Sequence, residues 1–230
     1  MSLAVDTLAF AYPGADVPLF TEVSFRLAGP GFHSFFGPSG VGKTTLARII
    51  AGDIAAFSGA IDAGGLARSL YSHNKERLPG WSGVARHLER VVAPDLHGRM
   101  AELIAIFGLD ECIDSRFDQL SMGQQNRVNL IRYLLQDCDL LIMDESLANV
   151  DERTRERIIL AIKAMFPQRY FIYISHNVVE VAKFCQDILV FRGRGKQPQT
   201  ALVRGCDMRR EGDFSRAALD ATLLEIMNAA

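Results

Sequence analysis

The feature that most constrains this chain is a glycine-rich stretch that ends in a lysine and a threonine. It fits the pattern G-x-x-x-x-G-K-[ST]. Its residues are Gly37, Pro38, Ser39, Gly40, Val41, Gly42, Lys43 and Thr44. The apolar run 32–36 before it predicts a buried strand, and residues 45–51 after it predict a helix. A phosphate-binding loop requires this order of strand, loop and helix. The sequence therefore predicts an α/β fold that binds a nucleotide.

Each part of this loop has a predicted task. Glycines let the backbone fold tightly around an anion, and the N–H groups at the helix start point at its oxygens. Lys43 adds a positive charge for the β- and γ-phosphates, and the hydroxyl of Thr44 suits Mg²⁺. We expect Thr45, the next residue, to belong to the same site. An ordinary glycine turn is the alternative, but a chance match in a chain this long has odds on the order of one per cent.

Composition excludes several classes of protein. The chain has 230 residues, 49% of them hydrophobic, which suits one large domain or a core with a subdomain. With a net charge of −2, the chain lacks the excess of basic residues that favours nucleic acid, so we expect no nucleic acid partner. The four cysteines form no C-x-x-C pair, which argues against zinc and disulfides and favours a reducing compartment. We find no signal-peptide pattern and no apolar run near ~20 residues, so a membrane role would come through a partner.

Periodicity elsewhere alternates between strand-like and helix-like patterns. Strands are predicted at 3–10, 23–27, 139–143, 170–174 and 188–191, with shorter ones at Ile61, 66–71 and 200–203. Helices are predicted at 84–92, 100–107, 124–135, 151–166 and 215–227. Because residues 73–136 are mostly helical, we treat 1–230 as a single domain with two parts. Residues 1–72 and 137–230 form an α/β core, and residues 73–136 form a helical subdomain.

Two carboxylates follow the apolar strand at 139–143, at the edge of a sheet where α/β proteins bind ligands. Asp144 is predicted to hold Mg²⁺, through water, and Glu145 to orient or deprotonate an attacking water. A capping role for the aspartate is the weaker alternative. His176 directly follows the strand at 170–174, and we expect it to contact the γ-phosphate. Tyr12 sits at a turn, where it either stacks on a base or fills the core beside the loop.

At residues 120–125 the sequence reads L-S-M-G-Q-Q. Here it resembles the nucleotide-binding subunit of ABC transporters, whose signature is L-S-G-G-Q, and Ser121, Gly123 and Gln124 match. The resemblance covers almost the whole chain. It implies a P-loop ABC ATPase fold with a mostly parallel core sheet, an N-terminal antiparallel β portion and a helical subdomain that carries the Q-loop and the signature. In this family the signature faces the ATP that the other subunit holds.

The same resemblance assigns roles to residues outside the signature. Glu145 matches the catalytic glutamate and His176 the switch histidine, so with Lys43 they form the implied catalytic set. Asp151 matches the D-loop aspartate, and Tyr12 matches the aromatic residue that stacks on adenine. The implied ligands are ATP and Mg²⁺.

The chain also departs from the family pattern. Met122 replaces a signature glycine, Ser146 stands where many members have proline, and Ala148 stands where the D-loop usually has serine. Counting back from the P-x-W that follows the Q-loop places His73 where the Q-loop glutamine belongs. Either His73 or Asn74 is then expected to contact Mg²⁺ or water. The matching P-x-W is typical of importers.

The resemblance implies an ATPase that powers an ABC transporter, an importer of a small solute. Two ATPase subunits, identical or homologous, would form a head-to-tail dimer bound to integral membrane permease subunits. The chain would then be cytoplasmic and peripheral on the inner face of the cell membrane. A soluble ABC-type ATPase, for example of iron–sulfur assembly, is the alternative. A nucleotide-binding protein without hydrolysis is disfavoured by Lys43, Asp144, Glu145 and His176.

Overall fold

The computed structural model describes residues 2–193, 195–213 and 215–230. The chain divides into two compact units, which we name the core unit and the helical unit. The core unit consists of Met1–Tyr71, Cys138–Asp144 and Phe166–Ala230. The helical unit consists of Ser72–Asp137 and Glu145–Met165. The helical unit includes the predicted subdomain 73–136. It also takes in residues 145–165, which the sequence had assigned to the core, because the helix in that segment packs against another helix of this unit.

Among the described residues, the chain forms nine β-strands and seven α-helices. The strands are β1 (Leu3–Phe10), β2 (Phe20–Leu27), β3 (Gly31–Phe36), β4 (Ser58–Asp62), β5 (Ser69–His73), β6 (Leu140–Asp144), β7 (Tyr170–Ile174), β8 (Asp187–Phe191) and β9 (Thr200–Arg204). The α-helices are α1 (Lys43–Ala51), α2 (Val84–Val91), α3 (His97–Ile106), α4 (Met122–Leu134), α5 (Glu152–Met165), α6 (Val178–Phe184) and α7 (Arg216–Ala229).

The larger sheet has the strand order β5-β6-β7-β3-β8-β9. Strand β3 pairs in parallel with β7 and β8, β6 pairs in parallel with β7, and β9 is antiparallel to β8. Every residue of β6, β7 and β8 is buried. Continuous apolar strands of this kind are typical of parallel sheets covered on both faces. The predicted mostly parallel sheet is therefore confirmed, and the phosphate-binding loop leaves its strand β3.

The smaller sheet is antiparallel, with the order β2-β1-β4. Strand β2 alternates between buried and exposed residues over most of its length, as expected of a strand with one face on a core. Its buried side chains, among them Phe20 and Leu27, join one apolar cluster with Leu46 of α1 and Ile172 of β7. The smaller sheet and α1 thus share a core with the larger sheet, and this packing supports the phosphate-binding loop.

The helical unit contains α2, α3, α4 and α5. Helix α4 packs against α2 and α3, and α3 also packs against α5. The helices bury their apolar faces, with Leu103 of α3, Ile131 of α4 and Ile158 of α5 fully inaccessible to solvent. Amphipathic helices are expected to pack in this way. Among the described residues, no helix has the length and apolar character needed to span a bilayer.

Candidate nucleotide-binding site

The phosphate-binding loop runs from the end of β3 to the start of α1, as the sequence predicted. Gly42, just before α1, has a φ of 106°, a backbone conformation that side chains rarely adopt. A Cβ atom at this position would lie 2.5 Å from Cζ of Phe20. Glycine is therefore required for both conformation and space. Because glycine has no side chain to cap α1, the N–H groups of its first turn remain suited to an anion.

Lys43 is folded back over the loop rather than extended into solvent. Its ammonium group donates hydrogen bonds to the carbonyl oxygens of Gly37 and Pro38, each at 2.7 Å. The side chain is only 7% exposed. The positive charge is therefore held across the loop that the sequence predicts to surround a phosphate. A lysine in such a loop attracts phosphate oxygens as a point charge.

Thr44 and Asp144 come together although they are 100 residues apart in sequence. The hydroxyl of Thr44 donates to Oδ2 of Asp144 at 2.6 Å, and the hydroxyl of Tyr71 donates to the same oxygen at 2.8 Å. Asp144 is buried and is the last residue of β6. Both donors orient its carboxylate. Magnesium prefers oxygen ligands and usually binds through one or two carboxylates together with phosphates, so this pair fits the predicted metal role.

Tyr71 contacts the candidate site, although no sequence pattern predicted this. Burial raises the pKa of the Tyr71 phenol well above its usual value, and the hydrogen bond to Asp144 and the charge of that carboxylate raise it further. The phenol therefore stays protonated at neutral pH and acts as a permanent donor to Asp144. Its position near the end of a predicted strand was the available signal, but its partner depends on which strands are neighbours.

Tyr12 is attached to the start of α1. Its hydroxyl and that of Thr45 are 2.7 Å apart, and its ring meets that of Phe10 edge-on, with centroids separated by 4.9 Å. The side chain is 47% exposed, so it is not a core aromatic. An exposed ring tied to the helix that follows the loop suits stacking on a base. Thr45 is the hydrogen-bond partner of Tyr12, and its part in the nucleotide site stays a prediction.

His176 is exposed in the turn between β7 and α6. The next residue, Asn177, caps α6 by accepting hydrogen bonds from the N–H groups of Val179 and Glu180 at 3.0 and 3.2 Å. This cap fixes the turn that carries the histidine. The proposed contact of His176 with a γ-phosphate stays a prediction.

In the helical unit, the signature stretch begins α4. Ser121 and Gln124 form a capping box, in which the serine hydroxyl accepts from the N–H of Gln124 and the glutamine carbonyl accepts from the N–H of Ser121. A Cβ atom at Gly123 would lie 2.3 Å from the carbonyl oxygen of Asn149, so this glycine is required. Met122 is 46% exposed, which explains why a side chain replaces the family's glycine there without a clash.

Glu145 follows β6 directly and adopts a left-handed backbone conformation, with φ of 52°. Its Oε2 accepts a hydrogen bond of 2.8 Å from the side-chain amide of Asn74. His73 instead accepts a hydrogen bond at Nδ1 from the N–H of Lys75, at 3.2 Å. Of the two residues that the sequence left open in the Q-loop, Asn74 is the one that contacts the predicted catalytic carboxylate. A metal-ligand role for His73 stays a prediction and would have to use Nε2 while this bond is present.

Asp151 lies at the start of α5, where its Oδ1 accepts a hydrogen bond of 3.0 Å from the N–H of Thr154. The hydrogen bonds from Thr154 lower the pKa of this exposed carboxyl below its usual value. In the single chain Asp151 therefore acts as a helix cap. Its predicted part at a nucleotide held by a second subunit stays a prediction.

The phosphate-binding loop, the helix after it and the Thr44–Asp144 pair define a P-loop nucleotide-binding protein. Comparison with protein-family models identifies the family: the model described as "ABC transporter" matches residues 20–148, more than half of the chain. The chain belongs to the ABC transporter family of ATP-binding proteins.

Curated relatives carry names of importer subunits. Molybdenum import ATP-binding protein ModC of Saccharophagus degradans is 31% identical over 199 residues, which are 76% of this chain and 54% of that protein. Taurine import ATP-binding protein TauB of Ruegeria pomeroyi is 30% identical over 213 residues, which are 84% of this chain and 78% of that protein. The chain spans about half the length of the ModC relatives that it matches.

Solved structures share the fold. An ATP-binding subunit of an ABC transporter has a TM-score of 0.78 at 19% identity, with 99% of this chain and 100% of that chain covered. A bacterial Atm1-family ABC exporter with ATP bound has a TM-score of 0.74 at 22% identity, with 100% of this chain and 42% of that chain covered. The predicted ABC ATPase fold is confirmed.

Proposed function

We propose that this chain hydrolyses ATP and so powers an ABC transporter, of the importer type. The observation that carries the proposal is the hydrogen bond between Thr44 and Asp144 beside a complete phosphate-binding loop. It brings a hydroxyl and a carboxylate, both suited to Mg²⁺, next to the residues suited to phosphate. The names of the relatives, molybdenum import and taurine import ATP-binding proteins, support import rather than another use of the ATP.

Within the core unit, a few groups bind the ATP and orient it. The N–H groups of the loop and the ammonium of Lys43 hold the phosphates, and Tyr12 stacks on the adenine. Thr44 and Asp144 would hold the magnesium ion, with Tyr71 keeping the carboxylate in place. When bound, the ion neutralises charge on the phosphate oxygens. His176 adds a contact to the γ-phosphate.

Proton removal falls to Glu145. Glu145 is adjacent in sequence to Asp144, the proposed Mg²⁺ ligand. Its carboxylate is therefore placed to accept a proton from the attacking water. In the proposed dimer, Ser121, Gly123 and Gln124 act on the ATP of the second copy or of a homologous ATPase, together with Asp151. The assembly would bind integral membrane permease subunits and lie on the cytoplasmic face of the membrane.

The test compares wild type with Glu145→Gln, which keeps the size of the side chain and removes its basicity. We expect turnover to fall by about 10²- to 10⁴-fold, the usual contribution of a general base, while ATP binding stays within about twofold. Hydrolysis is followed by phosphate release, and binding by equilibrium dialysis with labelled ATP. A variant that hydrolyses ATP at the wild-type rate would exclude Glu145 as the base.

Transport coupling needs a separate test, because hydrolysis alone does not distinguish a transporter from a soluble ABC-type ATPase. We expect a tagged chain, expressed in its own host, to be recovered with an integral membrane protein after mild detergent extraction. Recovery with soluble iron–sulfur assembly proteins alone would favour the alternative function.

A further inference from the structure

Two polar segments of the helical unit are joined by side-chain hydrogen bonds. One contains Ser72 and Asn74, at the end of β5 and the start of the turn after it. The other contains Glu145 and Ser146, which follow β6. We name the four residues the 72–146 clip. Each of its bonds joins one segment to the other, so the clip fixes the position of the turn that carries the predicted base.

The first bond of the clip reaches the reactive group itself. Nδ2 of Asn74 donates to Oε2 of Glu145 at 2.8 Å. A hydrogen bond to an ionised carboxylate is shorter and about twice as strong as one between neutral groups. It also fixes the rotation of the carboxylate, because the amide donates along a defined direction. Asn74 therefore controls where the oxygens of Glu145 lie.

The second part of the clip holds the backbone. The hydroxyls of Ser72 and Ser146 are 3.1 Å apart, and the hydroxyl of Ser146 also lies 3.1 Å from the carbonyl oxygen of Ser72, within reach as a donor. Ser72 is 1% exposed and Ser146 is 2% exposed. Hydrogen-bonding groups buried in this way are costly to separate, because neither can turn to water instead.

The backbone at Glu145 needs such support. Its φ of 52° lies in the left-handed region, which is unfavourable for a residue that carries a side chain. Conformations of this kind persist only where the surrounding structure enforces them. The tie between Ser146 and Ser72 acts one residue further along the chain and opposes relaxation of this turn.

We propose that Asn74 is a positioning residue that orients the carboxylate of Glu145, with the Ser72–Ser146 pair fixing the backbone beneath it. The inference rests on the proposed function of Glu145 as the base. It assigns the positioning task to Asn74 rather than to its neighbour His73, whose Nδ1 is used by the N–H of Lys75.

Three substitutions of Asn74 change its hydrogen bond to Glu145 to different degrees. Asn74→Gln keeps the amide donor on a longer side chain, Asn74→Ala removes it, and Asn74→Asp replaces it with a second carboxylate that repels Glu145. We expect kcat to fall in the order wild type, Gln, Ala, Asp, with a loss of at least about tenfold for the aspartate, since misplaced catalytic groups lose rate steeply. KM for ATP should stay within about twofold, because both partners of the hydrogen bond lie outside the phosphate-binding loop.

The matched control is Asn228→Asp, the same chemical change at an exposed position of α7. It should leave kcat and KM unchanged, which separates local repulsion from an added negative charge as such. Equal values of kcat for Asn74→Ala and Asn74→Asp would overturn the proposal, as would an effect of all three variants confined to KM.

Thermal unfolding tests the hydrogen bond between Asn74 and Glu145 without requiring ATPase activity. Asn74→Asp should lower the melting temperature by about 2–4 °C, the shift expected for roughly 1 kcal/mol in a chain of this size. In the double variant Asn74→Asp with Glu145→Gln, the glutamine amide can donate to the introduced carboxylate. The melting temperature should then return to that of Glu145→Gln alone.

The ATPase rates and the melting temperatures distinguish failure of the proposed function from failure of the positioning role. A wild-type chain without ATPase activity would overturn the proposed function, whereas the melting temperatures would still show whether Asn74 and Glu145 meet. Additive shifts in the double variant, with no recovery, would overturn the positioning role.

Discussion

The starts of α1 and α4 offer a direct comparison, since both are predicted to face phosphate. Helix α1 follows Gly42, which has no side chain to satisfy the N–H groups of the first turn. Helix α4 follows Ser121, which forms a reciprocal capping box with Gln124. The first helix start therefore leaves its donors to a ligand, whereas the second already satisfies part of its own.

This difference indicates how each helix start would act. No side chain caps the N–H groups at the start of α1, so we expect the core unit alone to bind a nucleotide. A phosphate at α4 must compete with the capping box, so binding there is favourable only when other contacts hold the phosphate in place. The helical unit thus suits a site that is completed by a second subunit, as the proposed dimer requires.

The largest expected effect separates the two helix starts by ATP affinity. Lys43→Ala should weaken ATP binding by about 10- to 100-fold, because a hydrogen bond to a charged group contributes roughly 1.5–3 kcal/mol. Ser121→Ala should leave binding to the isolated chain within about twofold and lower turnover instead. Isothermal titration with a non-hydrolysed ATP analogue measures the first quantity, and phosphate release measures the second. An equal loss of ATP affinity in Lys43→Ala and Ser121→Ala would show that the starts of α1 and α4 do not differ in this way.

A smaller effect tests whether packing at the start of α4 requires a glycine at position 123. Gly123→Ala places a methyl group against the carbonyl of Asn149, where 2.3 Å is available, and overpacking of this kind costs about 1–3 kcal/mol. Met122→Ala changes an exposed position and should cost less than about 0.5 kcal/mol. Urea unfolding monitored by circular dichroism compares the two. Similar losses for both alanine variants would show that the glycine is not required by packing.

Local patterns predicted much of the fold and of the core-unit site. The phosphate-binding loop depends on residues adjacent in sequence, and its strand–loop–helix context is confirmed. Helix α4, predicted over 124–135, extends over Met122–Leu134, because the capping box at Ser121 starts it earlier than the apolar periodicity indicates. The buried strands β6 and β7 were predicted because a continuous apolar run needs no knowledge of its partners.

Other features depend on contacts that no local pattern contains. Helix α6 (Val178–Phe184) was not predicted, since it has seven residues and begins with two β-branched valines, which disfavour helix. The cap at Asn177 and packing against β3 and α7 stabilise it. The bond from Tyr71 to Asp144 and the choice of Asn74 over His73 follow from the course of the chain around β5 and β6. Sequence spacing could only narrow that choice to two residues.

We propose that a second chain completes the ATP site of the first, and the mass of the ATP-bound species decides whether it does. Glu145→Gln, which should bind ATP without hydrolysing it, is examined by sedimentation velocity with ATP and Mg²⁺ and again with ADP. We expect a species of twice the chain mass of 25.4 kDa with ATP, and the single chain with ADP. A species that keeps the mass of one chain at saturating ATP, over the whole range of protein concentration, would contradict it.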